Sequence, residues 1–235
     1  MNCDFKISII IPARNESRDL PELLEFLCSA PGQEHIAEII ISDGRSSDNT
    51  VDIAKTFGAI VVLNELVGRA RQMNNGAIKA TGDVLYFLHA DSIPPASFLQ
   101  QIVQKISEGY DGGCFRLRFD HKHWFLRANA WFTRFNVNAV RFGDQSLFVK
   151  KNLFQKIGCF REDLIIMEDQ EIIYRIRRKG KFGVMGDYIT TSARKYRANG
   201  VYRMQGIFFY IYFFYQLGQS QEKLIAKYKK HIKPG

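Results

Sequence analysis

The sequence has no apolar run long enough to cross a bilayer. Its strongest candidate, Ile207-Phe208-Phe209-Tyr210-Ile211-Tyr212-Phe213-Phe214-Tyr215, has nine residues, against the roughly 20 that a spanning helix needs. Its four cysteines, Cys3, Cys28, Cys114 and Cys159, are widely separated. No pair has metal-finger or redox spacing, so free thiols in the cytosol are expected. There is no G-x-G-x-x-G after the first apolar run and no G-x-x-x-x-G-K-[ST] anywhere, which removes the Rossmann and P-loop ways of holding a nucleotide. No repeat, low-complexity segment or flexible linker interrupts the chain. No signal-peptide pattern opens it either, since Met1-Asn2-Cys3-Asp4-Phe5-Lys6 leads straight into a strand.

What is present is basic. Thirty-three Lys and Arg against 24 Asp and Glu give a formal charge of +9. Such a surface favours anionic partners such as nucleotides or an acidic membrane face. The charge forms no tract, so nucleic acid is not an expected partner. The Ile207–Tyr215 run has two readings. One is a buried helix. The other is an interfacial membrane contact, because Arg194, Lys195, Arg197 and Arg203 precede it and Lys223, Lys227, Lys229 and Lys230 follow.

The first ninety residues alternate strand and helix patterns with short connections. Apolar runs at 7–11, 36–41, 59–63 and 84–88 read as buried strands. Helical stripes lie between them: 18–28, 50–57 before Gly58, and 68–80. This pattern predicts a mostly parallel α/β sheet with helices on both faces. Beyond Pro94-Pro95 the chain is mixed. It reads as a helix to about 108, a half-exposed strand over 112–119, an aromatic helix over 121–138 and a strand over 146–149. A short helix over 152–157, a helix to Lys179, a strand over 184–188 and a helical, basic C-terminus follow.

Three carboxylate sites fall at predicted element ends: Asp43 after the second strand, Asp91 after the fourth, and Glu168-Asp169 opening a helix. Each has a plain structural reading, as a turn residue, a helix cap, or acidic first-turn residues set by the helix dipole. Asp43 and Asp91 nevertheless share the carboxyl edge of the sheet, where open α/β folds bind ligands. Asp91 can hold a divalent cation there.

The sequence resembles a family. Pro12-Ala13-Arg14-Asn15-Glu16 after the first strand and Ile41-Ser42-Asp43-Gly44 with Ser47-Asp48-Asn49-Thr50 look like the opening of a family 2, GT-A fold glycosyltransferase. So do Gly68-Arg69-Ala70-Arg71-Gln72-Met73-Asn74-Asn75-Gly76-Ala77 and the strand ending in Asp91. Gly143-Asp144-Gln145, Phe148-Val149, Gly158 and Met167-Glu168-Asp169-Gln170-Glu171 continue the likeness. The Gly143-Asp144-Gln145 and Ser192-Ala193-Arg194 pieces are most similar to the small bacterial "transferase 2, rSAM/selenodomain-associated" branch.

The resemblance implies one GT-A domain over 1–235. Residues 1–95 would bind a nucleotide sugar, 96–197 would bind acceptor and catalyse, and 198–235 would form C-terminal helices. It implies that Asp43 bonds a uracil-type base while Pro12, Arg14 and Glu16 line the nucleoside pocket. Arg69, His89 and Ala90 would lie near the nucleotide. Asp91 would hold Mn²⁺ or Mg²⁺, and Asp169, beside Glu168, would deprotonate the acceptor hydroxyl. The expected activity is inverting, metal-dependent sugar transfer from a nucleoside diphosphate donor, UDP before GDP, to a sugar, lipid-linked or small-molecule hydroxyl. The expected location is cytoplasmic, or peripheral on the inner membrane face.

The sequence departs from the family pattern at His89, where the first carboxylate of an Asp-x-Asp motif belongs. Imidazole suits Mn²⁺ better than Mg²⁺, so His89 is either a ligand or a hydrogen-bonded pocket residue. No Gln-x-x-Arg-Trp element is present, which argues against a processive polymerase. Arg194 and Lys195 stand in the comparable place, as phosphate clamps or as a solvated basic face. Gly112, Gly113 and the aromatic stretch from Trp124 to Phe135 are candidates to cover the acceptor, with the aromatics read first as core. Two alternatives stand beside the main reading: a polyprenyl-phosphate sugar transferase at the membrane surface, and a non-catalytic sugar-nucleotide binder.

Overall fold

The structure is a computed structural model that describes residues 5–140 and 145–232. Gly143 and Asp144 of the 143–145 motif lie outside the described residues.

The organising strand is β1 (Ile7–Ala13), buried at every position except the half-buried Pro12. Successive side chains of a strand point to opposite faces, and both faces of β1 are covered. Ile7, Ile9 and Ile11 join Leu20, Leu23, Leu24 and Leu27 of α1 (Leu20–Ser29) and Phe98, Leu99 and Ile102 of α4 (Phe98–Ser107) in one core. Ile10 joins Met73 and Ala77 of α3 (Arg69–Lys79) and Ile172, Ile173 and Ile176 of α7 (Glu168–Lys179) in the other. The layers are helix, sheet, helix.

β1 is flanked in parallel by β2 (Ile36–Asp43) and β4 (Val84–Phe87), and β2 carries β3 (Ile60–Leu63) on its far side. Helix α2 (Thr50–Thr56) connects β2 to β3. The chain steps outward from β1 to β3 and then returns to the other side of β1. This reversal opens a crevice at the strands' carboxyl ends. The sheet continues as β3-β2-β1-β4-β7-β6-β8-β5, with β5 (Ser92–Ile93), β6 (Gly112–Phe119), β7 (Leu147–Lys150) and β8 (Phe182–Thr191). Its β4–β7, β7–β6 and β8–β5 pairs are antiparallel. This mostly parallel α/β sheet flanked by helices is the architecture the sequence pattern implied.

Several local expectations change. The first four residues of β6 are all buried, so it is not half-exposed there, because it lies between β7 and β8. Strand β8 is longer than 184–188, since it pairs with β6 along most of that strand. The aromatics expected in a core are not there. Trp124, Trp131, Phe132 and Phe135, on and after α5 (Trp124–Phe132), are all exposed, and only Leu126 and Ala130 of that helix are buried. A short helix, α6 (Lys151–Lys156), follows β7, and three helices close the chain: α8 (Arg194–Asn199), α9 (Val201–Gln216) and α10 (Gln221–His231). Helix α9 is not a buried helix either. Met204, Ile207 and Ile211 pack inward, while Phe209 and Phe213 face out.

Candidate active site

The loops after β1 and β2 are tied together by their own side chains. Asn15, in the left-handed region at φ 56°, accepts at Oδ1 from Ser47 N (2.8 Å), and Ser46 Oγ accepts from Asn15 N (2.9 Å). Thr50 Oγ1 accepts from Glu16 N, and Asp48 Oδ2 from Ser17 N. Gln72 reaches up from α3 and donates to both Ala13 O and Ser42 O. Gln72 and Asn74 are buried beside Met73. Polar residues on the inward face of a helix were a sequence signal for this bracing role, and it was not read.

Asp43 is buried, with both oxygens accepting from Ser46: Oδ2 from the backbone N at 3.0 Å and Oδ1 from the hydroxyl at 2.5 Å. Each oxygen keeps a second lone pair for a ligand. Pro12 is half-buried, Arg14 exposed and Glu16 half-buried, all along the same strand end.

Asp91 is brought in by the short β5–β8 pairing, Ser92 against Thr191. Ser192 N donates to Asp91 O at 3.1 Å, so the loop bearing His89, Ala90 and Asp91 lies against Ser192-Ala193-Arg194-Lys195. Burial, and next the negative charge of Asp91, push the Glu16 carboxyl above its ordinary range. Glu16 Oε2 is buried with no hydrogen-bond partner, and its nearest cation, Arg194, is 3.7 Å away. Two carboxylates close enough for the charge of Asp91 to raise the Glu16 carboxyl form a donor set that fits a bound cation at this strand end. Among the described residues no three His, Cys, Asp or Glu side chains cluster as a metal cage. Asp91 would therefore be the principal protein ligand, with the remaining sites left to a ligand diphosphate and water.

Glu168 and Asp169 open α7 behind Met167, whose φ of 72° is unusual for a side-chain-bearing residue. Across the crevice, Arg69 at the start of α3 binds both of them, Nε to Glu168 Oε1 at 2.5 Å and NH2 to Asp169 Oδ2 at 2.6 Å. His89 lines a small recess with Asp169, Ser146 and Phe160. A larger cavity of about 600 Å³ is lined at one end by Arg69, Asp91, Asp169 and Lys195. The carboxylate after β4 and the one opening α7 thus face one space.

Arg194 Nη1 donates to Asp19 Oδ2 at 2.7 Å. Asp19 carried no sequence signal for this. Gly112 and Gly113 stand at the start of β6. They are buried at the opposite end of β6 from the cavity-lining Leu117 and Phe119. A Cβ on Gly113 would lie 2.5 Å from both Gly183 O and the Phe148 ring, so that glycine is there for packing.

A parallel-stranded crevice with a carboxylate at the end of β4 and an acidic helix start across from it is the plan of a GT-A glycosyltransferase. The profile of glycosyl transferase family 2 matches residues 8–162, more than half of the chain, and the chain belongs to that family. It is 32% identical over 132 residues to an undecaprenyl-phosphate 4-deoxy-4-formamido-L-arabinose transferase of Proteus mirabilis, a match covering 52% of this chain and 40% of that protein. The corresponding Klebsiella pneumoniae enzyme is 34% identical over 116 residues, 45% of this chain and 35% of that protein. The chain therefore spans well under half the length of these relatives. Among solved structures, the mannosyltransferase PcManGT from Pyrobaculum calidifontis, in complex with GDP-Man and Mn²⁺, superposes with a TM-score of 0.73 at 16% identity, over 92% of this chain and 65% of that one. S. aureus TarS 1-349 in complex with UDP gives 0.69 at 18% identity, over 80% and 60%. At such identities the likeness is one of fold.

Proposed function

We propose that the chain is an inverting, divalent-cation-dependent glycosyltransferase that moves a sugar from a nucleoside diphosphate donor, UDP before GDP, to an acceptor hydroxyl. The observation that carries this reading is that Asp91 and Asp169, on elements far apart in sequence, line one cavity. Asp43 receives the base, and Pro12, Arg14 and Glu16 bound the nucleoside. His89 and Ala90 border the diphosphate, and Lys195 contributes a cation to it. A Mn²⁺ or Mg²⁺ ion on Asp91 would neutralise charge on the departing diphosphate. Asp169 takes the proton from the acceptor hydroxyl as that oxygen bonds the anomeric carbon, and the diphosphate leaves with the electron pair of the broken bond. Arg69 and Glu168 hold Asp169 in position.

On this reading residues 1–235 form one domain, nearest in kind to the small rSAM/selenodomain-associated branch. The protein works in the cytoplasm or against the inner membrane face. A structural counterpart solved with GDP-Man and Mn²⁺ supports a metal-bound donor in general terms. A thermal-shift panel of UDP-glucose, UDP-N-acetylglucosamine and GDP-mannose, each with Mn²⁺, tests it, because a ligand of the native state raises the midpoint by mass action. One UDP-sugar should stabilise only when the cation is present. Indifference to every donor counts against the reading. Donor binding without any turnover would leave only the non-catalytic binder.

A further inference from the structure

The cavity that begins at Asp169 and Lys195 continues between the C-terminal helices. Helices line it with Phe132 on α5, Phe208 and Phe209 on α9, and Ile225 and Tyr228 on α10, among which stand the polar Asn129, Gln205 and Lys229. A carbohydrate needs hydrogen-bond partners for most of its hydroxyls, and a polar group buried against apolar walls without them binds poorly. The lining is mostly apolar, which suits a hydrocarbon chain better than a saccharide alone. The cavity reaches the surface between side chains that are themselves exposed and apolar. Ile165 is 58% exposed, Phe132 50% and Phe209 53%, with the exposed cation Lys229 beside them. From Phe209 the exposed apolar row runs along α9 at helical spacing through Phe213 to Leu217. Helix α9 is about 24 Å long, and no described helix is long and apolar enough to cross a membrane. An apolar surface of this kind meets a lipid phase from the side.

Building on the glycosyltransferase reading, we propose that the acceptor is an amphipathic lipid. Its hydrocarbon chain lies in the cavity between α5, α9 and α10. Its polar head brings the nucleophilic oxygen to Asp169 and Lys195. The head is an alcohol or a phosphate. An alcohol needs Asp169 as base, whereas a phosphate is already ionised and draws on Lys195 and Arg69.

Binding measured without donor tests this apart from catalysis. Octyl β-glucoside and octyl phosphate, matched in tail and each below its micelle concentration, are titrated by calorimetry against glucose and inorganic phosphate. Each buried methylene contributes roughly a factor of four, so the tailed ligand should bind roughly a hundredfold or more tighter than its bare head. Whichever tailed probe wins identifies the head chemistry. Ile225→Trp, which fills the cavity, should weaken that binding at least tenfold while leaving the thermal shift with UDP and Mn²⁺ unchanged. Phe209→Ser at the exposed rim is the second variant, where folding is not at risk, and should weaken it severalfold. Equal binding of tailed and tailless ligands, or wild-type affinity in both variants, overturns the proposal. Tail binding by a protein that turns over no donor sinks the catalytic reading instead.

Discussion

Arg69 Nε lies 2.5 Å from Glu168 Oε1, and the same guanidinium holds Asp169 Oδ2 at 2.6 Å. Glu168 is fully buried, and its other oxygen has no hydrogen-bond partner. A cation at a helix N-terminus opposes the helix dipole, so Arg69 is out of place for α3 and well placed for α7. It is the group that makes the buried Glu168 carboxylate tolerable beside Asp169.

Removing one partner of a buried ion pair leaves the other charge uncompensated. Arg69→Ala should therefore cost about 3 kcal/mol in urea unfolding. Arg69→Ala combined with Glu168→Gln should recover most of that loss, because the stranded charge is gone. A double variant no more stable than Arg69→Ala would mean that Glu168 does not depend on this pairing.

Gly113 is packed too tightly for a side chain. An added methyl meets backbone oxygen on one side and the Phe148 ring on the other, and overpacking a core costs about 1–3 kcal/mol. Gly113→Ala should lower the unfolding midpoint by that order. The rise in midpoint given by donor with Mn²⁺ should stay as large as in the wild type.

Asp48 gives the strand-end loops a pH dependence. Burial alone would raise its carboxyl, but hydrogen bonds from Thr50 and Ser17 prevail and hold it down to about 2 from an ordinary 3.8. A depressed carboxylate stabilises the fold above its unfolded value, and that contribution fades as pH falls from 3.8 towards 2. Midpoints recorded between pH 5 and pH 2 should fall less steeply in Asp48→Asn than in the wild type.

Arg194 and Lys195 are neighbours with different duties. Arg194 is committed to Asp19, whereas Lys195 is exposed and lines the cavity. A charged hydrogen bond to phosphate is worth about 1.5–3 kcal/mol. Lys195→Ala should raise the donor KM roughly tenfold, and Arg194→Ala should change it much less while lowering stability by up to about 1 kcal/mol. Steady-state kinetics with varied donor separate the two.

The first half of the fold was legible because its order is local. Short apolar runs bounded by turn signals, such as the unbroken 84–88, read as strands covered on both faces, and the carboxyl ends of parallel strands share one edge. Asp91 could be located on that logic alone. The pairing of Arg69 with residues 99 and 100 positions away could not, because it depends on how the starts of α3 and α7 meet on one face of the sheet. The aromatics of α5 and α9 misled for a related reason. Periodicity shows that a helix is apolar, but whether its apolar face meets a core, a cavity or solvent is decided by elements distant in sequence. Gly112-Gly113 is ambiguous in sequence for another reason, since tight packing and an open ligand surface both select glycine.

The central claim is that Asp91 and Asp169 divide the chemistry between leaving group and nucleophile. It is tested most directly by measuring UDP release from the best stabilising donor in the wild type, Asp91→Asn and Asp169→Asn, alongside each protein's thermal shift. Asp169→Asn should keep the cation-dependent donor shift and lose about a hundredfold or more in turnover, while Asp91→Asn should lose the cation-dependent shift itself. Wild-type turnover in Asp169→Asn, or an intact cation-dependent shift in Asp91→Asn, would contradict the division.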